Sequence, residues 1–278
     1  MPTVRTNGVD TYYERYGDGP PLIAVHGALS DHRVLAEQLR PLADTYELVV
    51  YDVRGHGHTG GTDRSTYSMD LFADDLEALI EALGLDRPAV VGHSMGGMLV
   101  QAYGVRYPRT PRALVAAGAH TPNARHPRDW LYFRVYARLM YRLSSVVPRD
   151  RVMALATRVE DLLVDDRQDV GDRIEEVRTA HGEAVPDPER AEFHKVSRAV
   201  LSFFADPIDL EAITAPTLLV YGEREPDTTA RHAAIVADGV QDGRSRTIAG
   251  AGHAVHVERP STVESVLREF LGEEQCDE

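Results

Sequence analysis

Val90-Val91-Gly92-His93-Ser94-Met95-Gly96-Gly97 is the stretch on which the reading of this chain turns. Two β-branched residues lead into it with strand character, and from Met95 to Tyr107 apolar residues recur at three and four, so a strand passes into a helix around one serine. Glycines two places before and two places after Ser94 remove the side chains that would collide in so sharp a turn. Ser94 is therefore expected to have strained dihedrals and a hydroxyl that projects from the bend. The helix behind it leaves its first N–H groups, Met95 foremost, and its positive dipole end beside that hydroxyl.

The flanking sequence repeats the same alternation. Short apolar runs with strand character lie at 3–5, 11–16, 22–25, 48–51 and 89–91, with helical periodicity at 31–43, 69–83 and 95–107. The series stops after a strand at 113–117 and resumes at 217–221 and 244–248. Strands that alternate with helices require a mostly parallel sheet covered on both faces, which places the chain in the α/β class. A length of 278 residues fits one such domain with an insertion. The expected division is a first core segment at 1–120, a helical cap at 121–210 and a second core segment at 211–278. Pro148, Gly171, Pro186 and Pro188 break the insertion into three or four helices. In the first of these, at 129–143, Trp130, Tyr132, Phe133, Tyr136, Met140 and Tyr141 flank an Arg134, Arg138, Arg142 stripe on one face. The plain expectation is that the arginines face solvent and the aromatics pack on the body; the sharper one is that an arginine meets a substrate carboxylate.

Two distant segments suit chemistry at Ser94. The strand at 22–25 ends in His26-Gly27, where the backbone can turn to aim the Ala28 N–H at the same space as that of Met95, giving two donors for an oxyanion. Near the other end, His253 lies in a glycine-rich loop after the last strand. A serine hydroxyl is almost wholly protonated at neutral pH, and an imidazole with an ordinary pKa near 6.5 is suited to removing that proton. His26 has no neighbours at metal-ligand spacing and is read as a brace of its loop. Asp52, His56 and His58 receive the same structural reading.

These segments together carry a resemblance. His26-Gly27-Ala28-Leu29, Tyr51-Asp52-Val53-Arg54-Gly55-His56-Gly57, Gly92-His93-Ser94-Met95-Gly96-Gly97 and the run from Gly250-Ala251-Gly252-His253 to Glu258-Arg259-Pro260 resemble, in matching order, the α/β-hydrolase superfamily. The resemblance implies a mostly parallel eight-stranded sheet with a helical cap insertion, an acyl-serine mechanism at Ser94 with His253 as base, and an acid just after the strand at 217–221. Relatives usually carry aspartate three residues after the glycine there; this chain has Glu225 at that place and Asp227 two residues on. Glutamate orients imidazole as aspartate does if the backbone retracts by a methylene, and Glu225 is preferred, with Asp227 as the alternative acid. Dehalogenases and epoxide hydrolases in the superfamily resemble each other in carrying aspartate where this chain has Ser94, which argues against both chemistries.

Composition bounds the partners. The formal net charge of −14 opposes nucleic acids and anionic membrane surfaces. No apolar run reaches a membrane-spanning length and no secretory signal opens the chain, so the expected compartment is the cytoplasm. A single cysteine, Cys276, allows no intrachain disulfide. Lys195 is the only lysine among 30 basic residues; an acidic, lysine-poor surface resembles proteins that stay soluble at high salt, and equally reflects a GC-rich coding bias. The expected activity is hydrolysis of a small-molecule ester, lactone or thioester, without cofactor or metal, by a monomer or homodimer. The same triad also serves C–C bond hydrolysis and cofactor-free perhydrolysis, and the same fold could act as a small-molecule sensor.

Overall fold

The computed structural model describes residues 2–28, 30–147, 151 and 190–276. Eight strands form one sheet: β1 (Thr3–Thr6), β2 (Val9–Tyr16), β3 (Pro21–Val25), β4 (Glu47–Tyr51), β5 (Ala89–His93), β6 (Ala113–Ala117), β7 (Thr217–Gly222) and β8 (Gly243–Ile248). Their spatial order is β1-β2-β4-β3-β5-β6-β7-β8. β1 and β2 run antiparallel, and every pairing from β4 to β8 is parallel.

The runs 89–93 and 113–117 are buried at every position because helices cover both faces. Alternate residues feed two cores: Ile23 and Val25 join Phe72, Leu76 and Leu99 on one face. Leu22 and Ala24 join Leu39, Leu42, Leu267 and Phe270 on the other. On the first face lie α2 (Met69–Leu83) and α3 (Met95–Arg106). α2 begins where the Ser68 hydroxyl accepts from the Leu71 N–H, and it stops at Gly84, whose φ of 65° reverses the chain.

The other face is covered by α1 (His32–Leu39) and the C-terminal helix Pro260–Cys276. α1 is shorter than the periodicity at 31–43 suggests. The chain tightens at Arg40–Asp44 into a 3₁₀ turn with Pro41 in its first turn, where the missing N–H is harmless. No helix among the described residues is long and apolar enough to cross a membrane.

Of the insertion, the structure describes two stretches. The first runs as α4 (Pro127–Trp130), a π-helical segment Leu131–Tyr136, and α5 (Ala137–Val146); the second is α6 (Arg190–Phe203). The uniform helix expected at 129–143 is thus interrupted, and the wider turns redirect its faces. Arg134 is half-buried and donates to the Ala205 carbonyl, whereas Arg138 and Arg142 are exposed. Trp130 is 57% exposed rather than packed on the body, while Phe133 is buried and stacks on Phe204 at 4.1 Å. Pro148, Gly171, Pro186, Pro188 and Leu29, and the side chains of Tyr136, Met140 and Cys276, lie outside the described residues.

Candidate active site

In the strand order β4-β3-β5, the chain leaves β3 toward one edge of the sheet and later leaves β5 toward the other. A crevice opens outside the carboxyl ends of the strands at such a switch point. Ser94 follows β5 and Gly27 follows β3, so both stand at this switch point.

Ser94 has φ 55° and ψ −113°, in the left-handed region that non-glycine residues avoid. The surrounding contacts hold it there: its N–H donates to Ala117 O at 2.8 Å, and its carbonyl accepts the Met98 N–H at 3.1 Å. The flanking glycines are required by close approach. A methyl group at Gly92 would stand 2.2 Å from the Gly96 carbonyl oxygen, and one at Gly96 would stand 2.1 Å from that of Val25. The Met95 N–H opens α3 and has no intrahelical acceptor. A methyl at Gly27 would touch the Ser94 Cβ at 3.4 Å, so the Gly27-Ala28 turn runs alongside the serine.

His26 supports that turn from below. Its Nε2 accepts the Val53 N–H at 3.0 Å, which leaves Nδ1–H to donate to Gly27 O at 2.8 Å. Burial lowers its pKa. Asp52 braces the next loop, where Oδ1 accepts from the His32 backbone N–H at 2.8 Å and from His32 Nδ1 at 2.9 Å, and Oδ2 accepts the His58 N–H at 2.8 Å. Against burial, which acts the other way on both groups, hydrogen bonds within this pair hold Asp52 down at about 2 and, with Glu14, raise His32 to about 9. His56 is buried and held at about 3 by desolvation and then by His26.

His253 and Glu225 come from the loops after β8 and β7. The imidazole Nδ1–H donates to Glu225 Oε1 at 2.9 Å, and Glu225 Oε2 accepts the Gly222 N–H at 2.9 Å. The carboxylate side chain is 3% exposed and the imidazole 48%, so a fixed anion anchors a ring that reaches solvent. Asp227 instead opens the helix Asp227–Gly239 and is exposed.

Other groups here had no signal in the sequence beyond their residue type. His93 Nε2–H donates to the His253 carbonyl at 3.0 Å, and its ring lies 4.9 Å from that of His253 and 4.3 Å from His256. Burial, then His256 and His253, push its pKa well below the ordinary value. His120, just past β6, is depressed by burial and then by His232 and His253. Among the described residues no group of three or more His, Cys, Asp or Glu is placed to hold a metal ion.

Comparison with known proteins places this geometry. The model of a family described as the alpha/beta hydrolase fold matches residues 20–260. A proline iminopeptidase of Pestalotiopsis fici is 26% identical over 96% of this chain and 98% of its own. Epoxide hydrolase 3 of Xenopus tropicalis is 25% identical over 98% of this chain and 77% of its own. The solved structure of Est816, an N-acyl homoserine lactone degrading enzyme, is similar with a TM-score of 0.69 at 27% identity, covering 97% of this chain and 100% of that one.

Proposed function

Because the chain belongs to the alpha/beta hydrolase fold family, we propose that it is a serine hydrolase that cleaves a small-molecule ester or lactone, thioesters included, through an acyl-Ser94 intermediate. The observation that carries this reading is the 2.9 Å bond from His253 to the buried Glu225, on the loops after β8 and β7, in a chain that also holds a serine at a strained elbow after β5.

With Nδ1–H committed to Glu225, the lone pair on His253 Nε2 is the one left to take the Ser94 proton as Oγ attacks the carbonyl carbon. The tetrahedral oxyanion draws on the Met95 and Ala28 N–H groups. Imidazolium then returns the proton to the leaving oxygen. Water, deprotonated by the same imidazole, cleaves the acyl-serine and regenerates both groups. Glu225 holds the ring in this orientation and stabilises the imidazolium. The insertion at 121–210 acts as the cap that selects the acyl group. The similarity to a lactone-degrading enzyme supports the ester and lactone class, and serine rather than aspartate at the elbow separates this chemistry from an alkyl-enzyme route.

The test is labelling with a fluorophosphonate followed by intact mass and peptide mapping. One adduct per chain, on Ser94, with turnover of chromogenic esters or lactones, is the expected result. A folded wild-type protein that takes up no label and turns over no ester in a panel of increasing acyl length overturns it.

A further inference from the structure

The two loops that carry Glu225 and His253 are joined by a third residue. Glu258, at the end of the short helix Val255–Glu258, is 2% exposed at its side chain. Its Oε2 accepts the Gly252 N–H at 2.9 Å, one residue before His253, and the same oxygen receives the Arg224 guanidinium, one residue before Glu225. Gly252 leaves room for this carboxylate, since a methyl there would stand 3.1 Å from Glu258 Oε1. Around this junction the Arg224 N–H donates to Ala251 O at 2.8 Å, and Glu223 Oε2 accepts the Gly250 N–H at 2.8 Å.

We propose that Glu258 and Arg224 form a positioning clamp, which fixes the distance between the acid and the base of the triad and balances the charge that His253 experiences. The proposal rests on the roles assigned to His253 and Glu225. The reason for a clamp is that the base and its acid sit on separate loops, and misplacement of one against the other by about 1 Å costs on the order of 100-fold in rate. A charge-assisted bond to a buried carboxylate at the crossing of the loops is stronger than a neutral one.

The charges provide a signature that packing alone lacks. Among the described residues, His253 is bonded to Glu225 and neighboured by His93 from β5, His256 from the short helix and His120 from the loop after β6, while the Arg224–Glu258 pair sits on its loop through the Gly252 N–H, one residue before it. Those three histidines are held neutral by burial, so the pair is the balance that can be upset. Arg224→Gln removes one positive charge beside Glu258, which favours imidazolium. Glu258→Gln keeps an acceptor for the Gly252 N–H but removes one negative charge from the loop of His253, which disfavours imidazolium.

The experiment measures kcat, KM and the acid limb of the pH profile on a chromogenic ester, together with the rate of fluorophosphonate labelling. Expected are a fall in kcat and labelling of about 10- to 100-fold in each variant with KM within about twofold. The acid limb should move up in Arg224→Gln and down in Glu258→Gln, each by about half a pH unit, and Arg224→Lys should bring it back toward wild type. Arg224 has a partly exposed side chain, so its variants report even if Glu258→Gln fails to fold. Limbs that move the same way, or folded variants that label at the wild-type rate, overturn the clamp. A wild-type protein that does not label at Ser94 overturns the catalytic reading instead.

Discussion

At the scale of single residues, the acid is the position where type and geometry compete. Glu225 is buried and bonded to His253, and Asp227 faces solvent at a helix start. Glu225→Gln keeps the volume and removes the charge that stabilises imidazolium, so turnover should fall on the order of 10⁴-fold, as for the comparable change in a serine protease. Asp227→Asn should change turnover by less than about twofold. Steady-state rates of the two variants decide the assignment, and the reverse ranking would move the acid to position 227. Ser94→Ala should abolish turnover while the melting temperature holds or rises, because alanine fits the elbow and no hydrogen bond of the hydroxyl among the described residues is lost.

Among the elements, α2 separates what a cap contributes from what a core face contributes. Removing the Ser68 hydroxyl, which accepts from the Leu71 N–H at 3.1 Å, should cost about 0.5–2 kcal/mol. Leu76 lies in the same helix at 0% exposure against the sheet, and Leu76→Ala should cost about 2–5 kcal/mol by lost burial and the cavity left behind. Urea unfolding of the two variants checks the order; a cap loss larger than the core loss would mean that α2 is held by its ends.

For the molecule as a whole, the histidines set the pH window. Burial lowers the pKa of His26, His56, His93, His120, His232 and His256 in the folded state. In the unfolded chain each titrates near 6.5. Below that pH the unfolded state binds protons that the native state refuses, so these groups contribute stability that is present above about 6.5 and lost as the pH falls. His32 has the opposite sign: raised to about 9, its contribution is complete below about 6.5 and is lost as the pH climbs through 9. The melting temperature should therefore peak near neutrality, fall steeply toward pH 5 and fall more gently toward pH 9.5. A melting temperature unchanged between pH 7 and pH 5 would contradict the acid side. The net charge of −14 adds a salt dependence. At about 1 M KCl the Debye length is only about 3 Å, which screens self-repulsion. Activity and melting temperature should thus be retained or raised there, and a steady fall with added KCl would refute this.

The sequence by itself determined the sheet and the strained elbow that holds Ser94, because both are written in short-range pattern. Period-two and apolar runs marked all eight strands, the helical period marked 69–83 to the residue, and strand, glycine, serine, glycine and helix marked Ser94. These features depend on neighbours within a turn or two of the chain, where steric rules act directly. Only the tertiary structure decided which carboxylate reaches His253, that Trp130 stands exposed, and that a π-helical stretch divides the arginines of the insertion. It alone brought Arg224 and Gly252 onto Glu258, and His93 under the His253 carbonyl. Those contacts join segments up to 160 residues apart. Their geometry is set by how the loops pack at the carboxyl edge of the sheet, where a side chain one methylene longer at position 225 still reaches its partner and a side chain two places on points into water.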